Sequence, residues 1–235
     1  MRYLRDVKSS SILVLSLSNE TEKNVNKNAP YADDFDEATE ERFSLSVNGV
    51  ADFLSMRGAK PTVALLSPSG DDGSTASVML ARSIAELGRS VVVVDMTSSG
   101  YPTQLMAQEA GLAGVSDLLF GETPFGETIH HDRLSNAHIV PQGKAQPLHT
   151  MRIIERLTMV LHALADTYDT VLLEFGSADI EGVTKLLKYI DAEIVLSLPD
   201  ADNLLASETL LELRALGYAD VVMMSESYSG DRTAA

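Results

Sequence analysis

Apolar residues in this chain gather into short runs, separated by stretches in which they recur at helical spacing. The runs at 61–67 (PTVALLS), 90–95 (SVVVVD), 170–175 (TVLLEF) and 192–198 (AEIVLSL) hardly alternate with polar residues. That is expected of strands covered on both faces, since a strand with one wet face alternates. Shorter runs at 137–140 and 220–224 read as further strands. Between the runs, helical spacing predicts helices over 74–87 (ending at Gly88), 104–110, 115–120, 150–166, 180–190 and 203–216. Upstream, Phe43, Val47, Val50, Phe53 and Leu54 would share one face of a helix over about 37–56, with Gly58 suited to its C-terminal cap. Residues 11–18 (SILVLSLS) read as a short strand, and 19–36 as a flexible acidic and polar linker with little to bury.

Short apolar strands alternating with helices imply βαβ units, a parallel sheet and right-handed crossovers with helices on both faces. The expected fold is therefore α/β, with a doubly wound, mostly parallel sheet. The expected organisation is an N-terminal strand and linker (1–36), one α/β domain (37–226) and a disordered tail (227–235). In such sheets ligands bind beyond the carboxyl ends of the strands.

Composition narrows the function classes. The formal net charge is −16 and the 18 Lys and Arg are scattered, which disfavours nucleic acid and anionic membrane surfaces as partners. No apolar run approaches the ~20 residues of a membrane span, and no signal peptide is read. The expectation is a cytoplasmic protein with no direct membrane insertion. There is no cysteine, which excludes disulfides, cysteine zinc sites, iron–sulfur clusters and thiol catalysis.

The segment 66–76, LSPSGDDGSTA, follows a predicted strand and opens a predicted helix, the context of a P-loop. A working GxxxxGK[ST] loop needs glycines to wrap phosphates in backbone amides, a lysine against their charge and a hydroxyl for magnesium. Setting Gly73 on the second motif glycine puts Pro68 on the first, Ser74 on the lysine and Thr75 on the metal-binding hydroxyl. Asp71 and Asp72 add negative charge where phosphates would sit, at about 1 kcal/mol each even when well screened. The helix N-terminus still offers amides and partial positive charge to a weakly held anion. The same loop also reads as an ordinary strand–loop–helix turn, with its acids favouring the helix N-terminus and Ser74 or Thr75 near the cap.

The order of elements adds what the loop lacks. The run ARSIAELGRSVVVVDMTSSGYP ends its strand on Asp95; GLAGVSDLLFGE follows at 111–122, AHIVPQGKAQP at 137–147 and YDTVLLE at 168–174. In this order and spacing, about 41–224 resembles the cytoplasmic P-loop domain of bacterial tyrosine kinases, with a deviant Walker A loop. Within that family it resembles the succinoglycan-type exopolysaccharide transport proteins. The resemblance implies a P-loop NTPase-like fold. It places Asp95 and Glu174 on the catalytic acids, Gly70, Gly73, Ser74 and Thr75 on the nucleotide loop, and Thr75 and Asp95 on the magnesium ligands.

The departures fall on the chemistry. Ser74 stands for the loop lysine, Thr97 for the second acid after Asp95, and Glu174 for the Walker B Asp. ERFSLSVNG lacks the family's paired arginines, and the C-terminal tyrosine cluster is reduced to Tyr228. The resemblance thus implies a pseudo-kinase or pseudo-ATPase, with no cofactor or only weakly held ATP or ADP with magnesium. It would act through contacts with a membrane chain-length regulator or kinase subunits of a polysaccharide export system. Its place would be the cytoplasm, peripheral to the inner membrane where a partner holds it there. The alternative is an active ATP-dependent tyrosine kinase or ATPase using Thr75, Asp95 and Glu174; gain of ATP binding by Ser74→Lys would mark the loss as specific. A third reading is a structural α/β domain with no role in polysaccharide export.

His130, His131 and His138 with Asp132 could suggest a metal site, but adjacent histidines point to different sides of a strand or helix, and the histidines read as solvated loop residues. Among P-loop relatives, chromosome-partitioning ATPases carry basic surfaces, septum-site ATPases an amphipathic C-terminal helix and nitrogenase-type iron proteins cysteines. None of these features is read here.

Overall fold

The computed structural model describes residues 44–144, 151–198 and 204–225. The predicted strand at 11–18, the linker, the first part of the helix predicted from 37, Tyr228 and the tail lie outside the described residues.

Eight strands form one sheet: β1 (Leu45–Ser46), β2 (Thr62–Leu66), β3 (Val91–Asp95), β4 (His130–His131), β5 (His138–Val140), β6 (Thr170–Glu174), β7 (Glu193–Leu198) and β8 (Val221–Ser225). The helices are α1 (Val47–Leu54), α2 (Asp71–Glu86), α3 (Tyr101–Met106), α4 (Val115–Phe120), α5 (Met151–Ala165), α6 (Ile180–Leu187) and α7 (Leu204–Ala215). The sheet order is β1-β8-β7-β2-β6-β3-β5-β4. All neighbours are parallel except β4, which runs antiparallel to β5.

The central strands are buried along their whole length, the physical reason their sequences read as unbroken apolar runs. Alternate residues still serve opposite faces. Val63, Leu65, Val91 and Val93 pack with Val50 and Leu54 of α1, Leu80 and Ile84 of α2, and Met106 of α3. Ala64, Leu66, Val92 and Val94 pack with Leu119 of α4, Leu161 and Leu164 of α5, Val183 of α6 and Leu213 of α7. The fold is thus α/β, doubly wound about a mostly parallel sheet. Successive strands step from β2 to one side and, after β6, to the other. The loop after β2 therefore sits where the winding direction reverses, the place such sheets use for ligands.

The helix expected over 37–56 is shorter among the described residues. Leu45 and Ser46 pair with Met224 and Ser225 as an edge strand, and Ser46 caps α1 by accepting from the N–H of Gly49 at 3.1 Å. Strand pairing and an N-cap side chain override the helical spacing that Phe43 and Val47 suggested. Gly58 lies beyond the C-cap, which is Ser55. Helix α3 starts at Tyr101 rather than 104, with Pro102 in its first turn.

Candidate functional site

The carboxyl ends of β2, β3, β6 and β7 converge on the loop between β2 and α2. Ser67 donates its backbone N–H to Gly176 O at 2.9 Å, and Gly70 N–H returns to Ser67 O at 2.8 Å, closing a tight turn. Gly70 has φ 71° and ψ −131°, outside the reach of ordinary L-residues, and it forms the N-cap of α2. The helix begins at Asp71, three residues before the apolar pattern suggested. Gly73 and Ser74 consequently lie in its first turn.

Gly73 is packed so tightly that a side chain there has no room. An added Cβ would lie 2.8 Å from Ser67 Cβ and 2.9 Å from the backbone oxygen of Ser197. Ser197 Oγ in turn donates to Gly73 O at 2.7 Å, tying β7 to the loop. Ser74 is buried and its hydroxyl donates to Glu174 Oε1 at 2.9 Å. Thr75 is half-buried and turns back along its own helix, donating to Asp71 O at 3.1 Å. Asp71 and Asp72 are exposed, and Asp71 accepts from Ser99 Oγ at 2.9 Å.

Glu174 ends β6 and is fully buried. Its Oε1 also accepts from Gly176 N–H at 2.9 Å. Its Oε2, like the buried hydroxyls of Ser67 and Ser69, has no hydrogen-bond partner among the described residues. Burial pushes the Glu174 carboxyl above the usual carboxylate range, against the opposing influence of the Ser77, Ser67 and Ser74 hydroxyls and the Gly176 N–H.

Asp95 ends β3 directly opposite Glu174 in the strand register and is also fully buried. Oδ1 accepts from Thr97 N–H at 3.0 Å and Thr97 Oγ1 at 2.7 Å; Oδ2 accepts from Thr103 N–H at 3.0 Å and Thr103 Oγ1 at 2.6 Å. One carboxylate thus fixes the turn at Thr97 and the first turn of α3 together.

A second layer braces this end of the sheet. Gln142 Nε2 donates to Thr97 O at 2.8 Å. Val115 and Ser116 donate their N–H groups to Pro141 O and Gln142 O at 2.8 and 3.1 Å. Gly114 is required there, because a Cβ would fall 2.0 Å from Pro141 O. Asp117 is buried and accepts from Gly114 N–H at 2.9 Å and Lys144 N–H at 3.1 Å. The segments GLAGVSDLLFGE and AHIVPQGK, read separately in the sequence, form this brace. Thr103, Gln142 and Ser197 were not singled out there. Gln142 and Ser197 carry only the signal of a polar residue near a strand end, and Thr103 that of a hydroxyl in the first turn of the following helix.

The structure brings Gly70, Gly73, Ser74, Asp95 and Glu174 to one end of the sheet and turns the Thr75 hydroxyl away from Glu174. In P-loop NTPases the loop Ser or Thr and the Walker B acid hold magnesium together. The hydroxyl and acid that meet here are those of Ser74 and Glu174. The N-terminus of α2 supplies amides and partial positive charge for an anion.

The histidines are not loop residues. His131 and His138 are register partners in the β4–β5 pair, and His130 turns to the other side, its Nε2 3.3 Å from Ala113 O. Asp132 is buried. Arg82 Nε and Nη2 of α2 donate to its two oxygens at 2.9 and 3.0 Å, and Ser135 Oγ adds a bond at 2.7 Å. Two residues suffice to pair as strands, but a run that short leaves no legible alternation.

No protein-family model matches the chain, and no curated protein matches it. Solved structures do. The kinase domain of Escherichia coli tyrosine kinase ETK superposes with a TM-score of 0.63 at 19% identity, covering 76% of this chain and 75% of that one. The BceF tyrosine kinase domain gives 0.58 at 17% identity over 77% of this chain and 76% of that one. The septum site-determining protein MinD of Pyrococcus horikoshii, complexed with Mg-ADP, gives 0.51 at 20% identity over 69% and 67%. Among the described residues no helix is long and apolar enough to cross a membrane. With its mostly parallel sheet and its strand–loop–helix junction at the winding reversal, the chain has the P-loop α/β fold seen in bacterial tyrosine-kinase domains.

Proposed function

We propose that this chain is a regulatory P-loop domain, a pseudo-kinase or pseudo-ATPase, that works through protein contacts in exopolysaccharide chain-length control and export. The observation that carries the reading is the internal use of the Asp95 carboxylate, with both oxygens engaged. Asp95 accepts four hydrogen bonds from Thr97 and Thr103, and Glu174 is sealed from solvent against Ser74. An acid that holds magnesium or takes a proton from a substrate needs an oxygen that is free and reachable; both oxygens of Asp95 are taken, and the unpartnered Oε2 of Glu174 is sealed from solvent.

The loop itself fits magnesium nucleotide poorly. From Ser67 to Thr75 it carries no lysine. In the register that sets Ser74 on the metal-binding hydroxyl, the lysine position falls on Gly73, whose surroundings exclude a side chain. Asp71 and Asp72 stand at the helix end that would face phosphate. No catalytic step is therefore assigned to these residues. The domain's work is contact with a membrane chain-length regulator or with active kinase subunits, as the kinship of fold with tyrosine-kinase domains suggests.

Calorimetry with ATP and ADP in the presence of magnesium tests the reading. The expected result is no heat and no thermal stabilisation up to millimolar nucleotide. Binding tighter than about 100 μM, roughly −5.5 kcal/mol, overturns it in favour of an active ATP-dependent kinase or ATPase. The biological half is tested by removing the chain from its source cell, with a changed polymer length distribution expected.

A further inference from the structure

At the β4 edge of the sheet, His131 and His138 face each other across the antiparallel pair. Their ring centroids are 4.4 Å apart and the rings are tilted by 59°. His131 Nδ1 and His138 Nε2 are 2.9 Å apart, so one carries the proton and the other presents its lone pair. On its far side His138 Nδ1 lies 2.9 Å from the hydroxyl oxygen of Tyr168. His131 is exposed and His138 half-buried, so the pair is open to solvent on one side and anchored on the other.

We propose that His131 and His138 form a binding site for a divalent transition-metal ion that prefers imidazole in tetragonal geometry, Cu²⁺ above Ni²⁺. The ion takes the lone pairs of His131 Nδ1 and His138 Nε2. The ring proton of His138 moves to Nδ1, where it is donated to the Tyr168 oxygen. Both imidazoles stay neutral, the form in which they ligate metals. A metal-bound histidine typically donates its other N–H to such an outer partner, which fixes the tautomer.

The spacing of the two nitrogens suits a shared ion. Two nitrogens at about 2.0–2.1 Å from an ion stand roughly 2.9 Å apart at a right angle and roughly 3.3 Å apart at a tetrahedral angle. The 2.9 Å hydrogen-bond separation of the two ring nitrogens places them within the span of one ion, and the affinity order of divalent metals for nitrogen ligands puts Cu²⁺ above Ni²⁺. Turning both lone pairs onto one point needs rotation about the last imidazole torsion, which is broad. No group of three His, Cys, Asp or Glu side chains able to hold a metal occurs among the described residues, so water completes the shell. The net charge of −16 draws cations to the chain as a whole.

The test is titration of the full chain with CuCl₂ and NiCl₂ at neutral pH in a non-coordinating buffer, followed by calorimetry and, for copper, by electron paramagnetic resonance. One tightly bound Cu²⁺ with two nitrogen ligands is expected, with weaker Ni²⁺ binding. His131→Ala and His138→Ala should each weaken that site at least tenfold and remove a nitrogen coupling. Tyr168→Phe should weaken it by roughly tenfold, as loss of an outer partner does. His130→Ala and His162→Ala should leave it unchanged. Affinity within threefold of the parent in His131→Ala, whose side chain is exposed and whose fold circular dichroism can verify, overturns the assignment. So does a copper spectrum without two nitrogens.

Discussion

Ser74, in the first turn of α2, gives its hydroxyl proton to Glu174, at the end of β6, over 2.9 Å. This bond ties the loop between β2 and α2 to the central sheet. It also sets which hydroxyl faces the acid: Thr75 is spent on its own helix at Asp71 O.

The bond decides what a lysine at position 74 would do. Ser74 is 1% exposed. Ser74→Lys forces a long cation into a closed space against Glu174, and overpacking alone costs about 1–3 kcal/mol. The expected outcome is a lower melting temperature with no gain in ATP binding, read by thermal denaturation with and without Mg-ATP. Tight nucleotide binding in this variant would mean that the loop reopens around the lysine and that the absence of a lysine is the specific reason the parent binds none.

Glu174 sets a dependence on pH whose sign follows from its environment. Its folded pKa is raised above the unfolded value near 4.3. Its contribution to stability is therefore fully present below that value and is lost as pH rises through the folded pKa. Glu174→Gln keeps an acceptor for Ser74 and Gly176 and carries no charge. Urea midpoints from acid to alkaline pH should show the variant gaining on the parent as pH rises. Parallel curves would show that Glu174 does not change its proton occupancy on unfolding.

Much of this fold was legible because the central strands are covered on both faces, which leaves runs such as Val91–Asp95 unmistakable. Short elements were not: β1 and β4 are two residues each and exist through their partners. At the site, the sequence could name Asp95 and Glu174 as strand-end acids. It could not say that α2 starts at Asp71, because Asp71, Asp72 and Gly73 look like loop residues until Gly70 is seen as the cap. That shift of helix start is what turns Ser74, rather than Thr75, toward Glu174. Thr103 and Gln142 were illegible because their partners lie on other segments.

Asp95 is expected to behave as a structural residue. Its four accepted hydrogen bonds hold the turn at Thr97 and the start of α3, and bonds to a charged acceptor are worth about 1.5–3 kcal/mol each. Asp95→Ala should destabilise the chain by on the order of 3 kcal/mol, since part of the network relaxes onto water. Urea denaturation measures this. Unchanged or increased stability is the signature of an acid held strained for function and would revive the enzyme reading.

Asp132 provides the opposite pH signature further along α2, where Arg82 reaches it. Burial pushes its carboxyl up, but the hydrogen bonds from Arg82 and Ser135 and the charge of Arg82 outweigh this and hold it below the usual carboxylate range. A depressed pKa contributes stability that is present above the unfolded value near 3.9 and is lost as pH falls through the folded one. Asp132→Asn leaves the guanidinium of Arg82, whose side chain is 22% exposed, without its charged partner. Removing one member of a buried pair costs about 3 kcal/mol. The variant should fall short of the parent by that amount at neutral pH and converge with it in strong acid. Glu174→Gln diverges toward alkali and Asp132→Asn toward neutrality from acid, so paired urea series separate the two carboxyls. Hydrogen exchange adds location: because Arg82 also donates to Leu105 O at 3.2 Å, loss of Asp132 should speed exchange in α2 and at the end of α3 before it reaches β6.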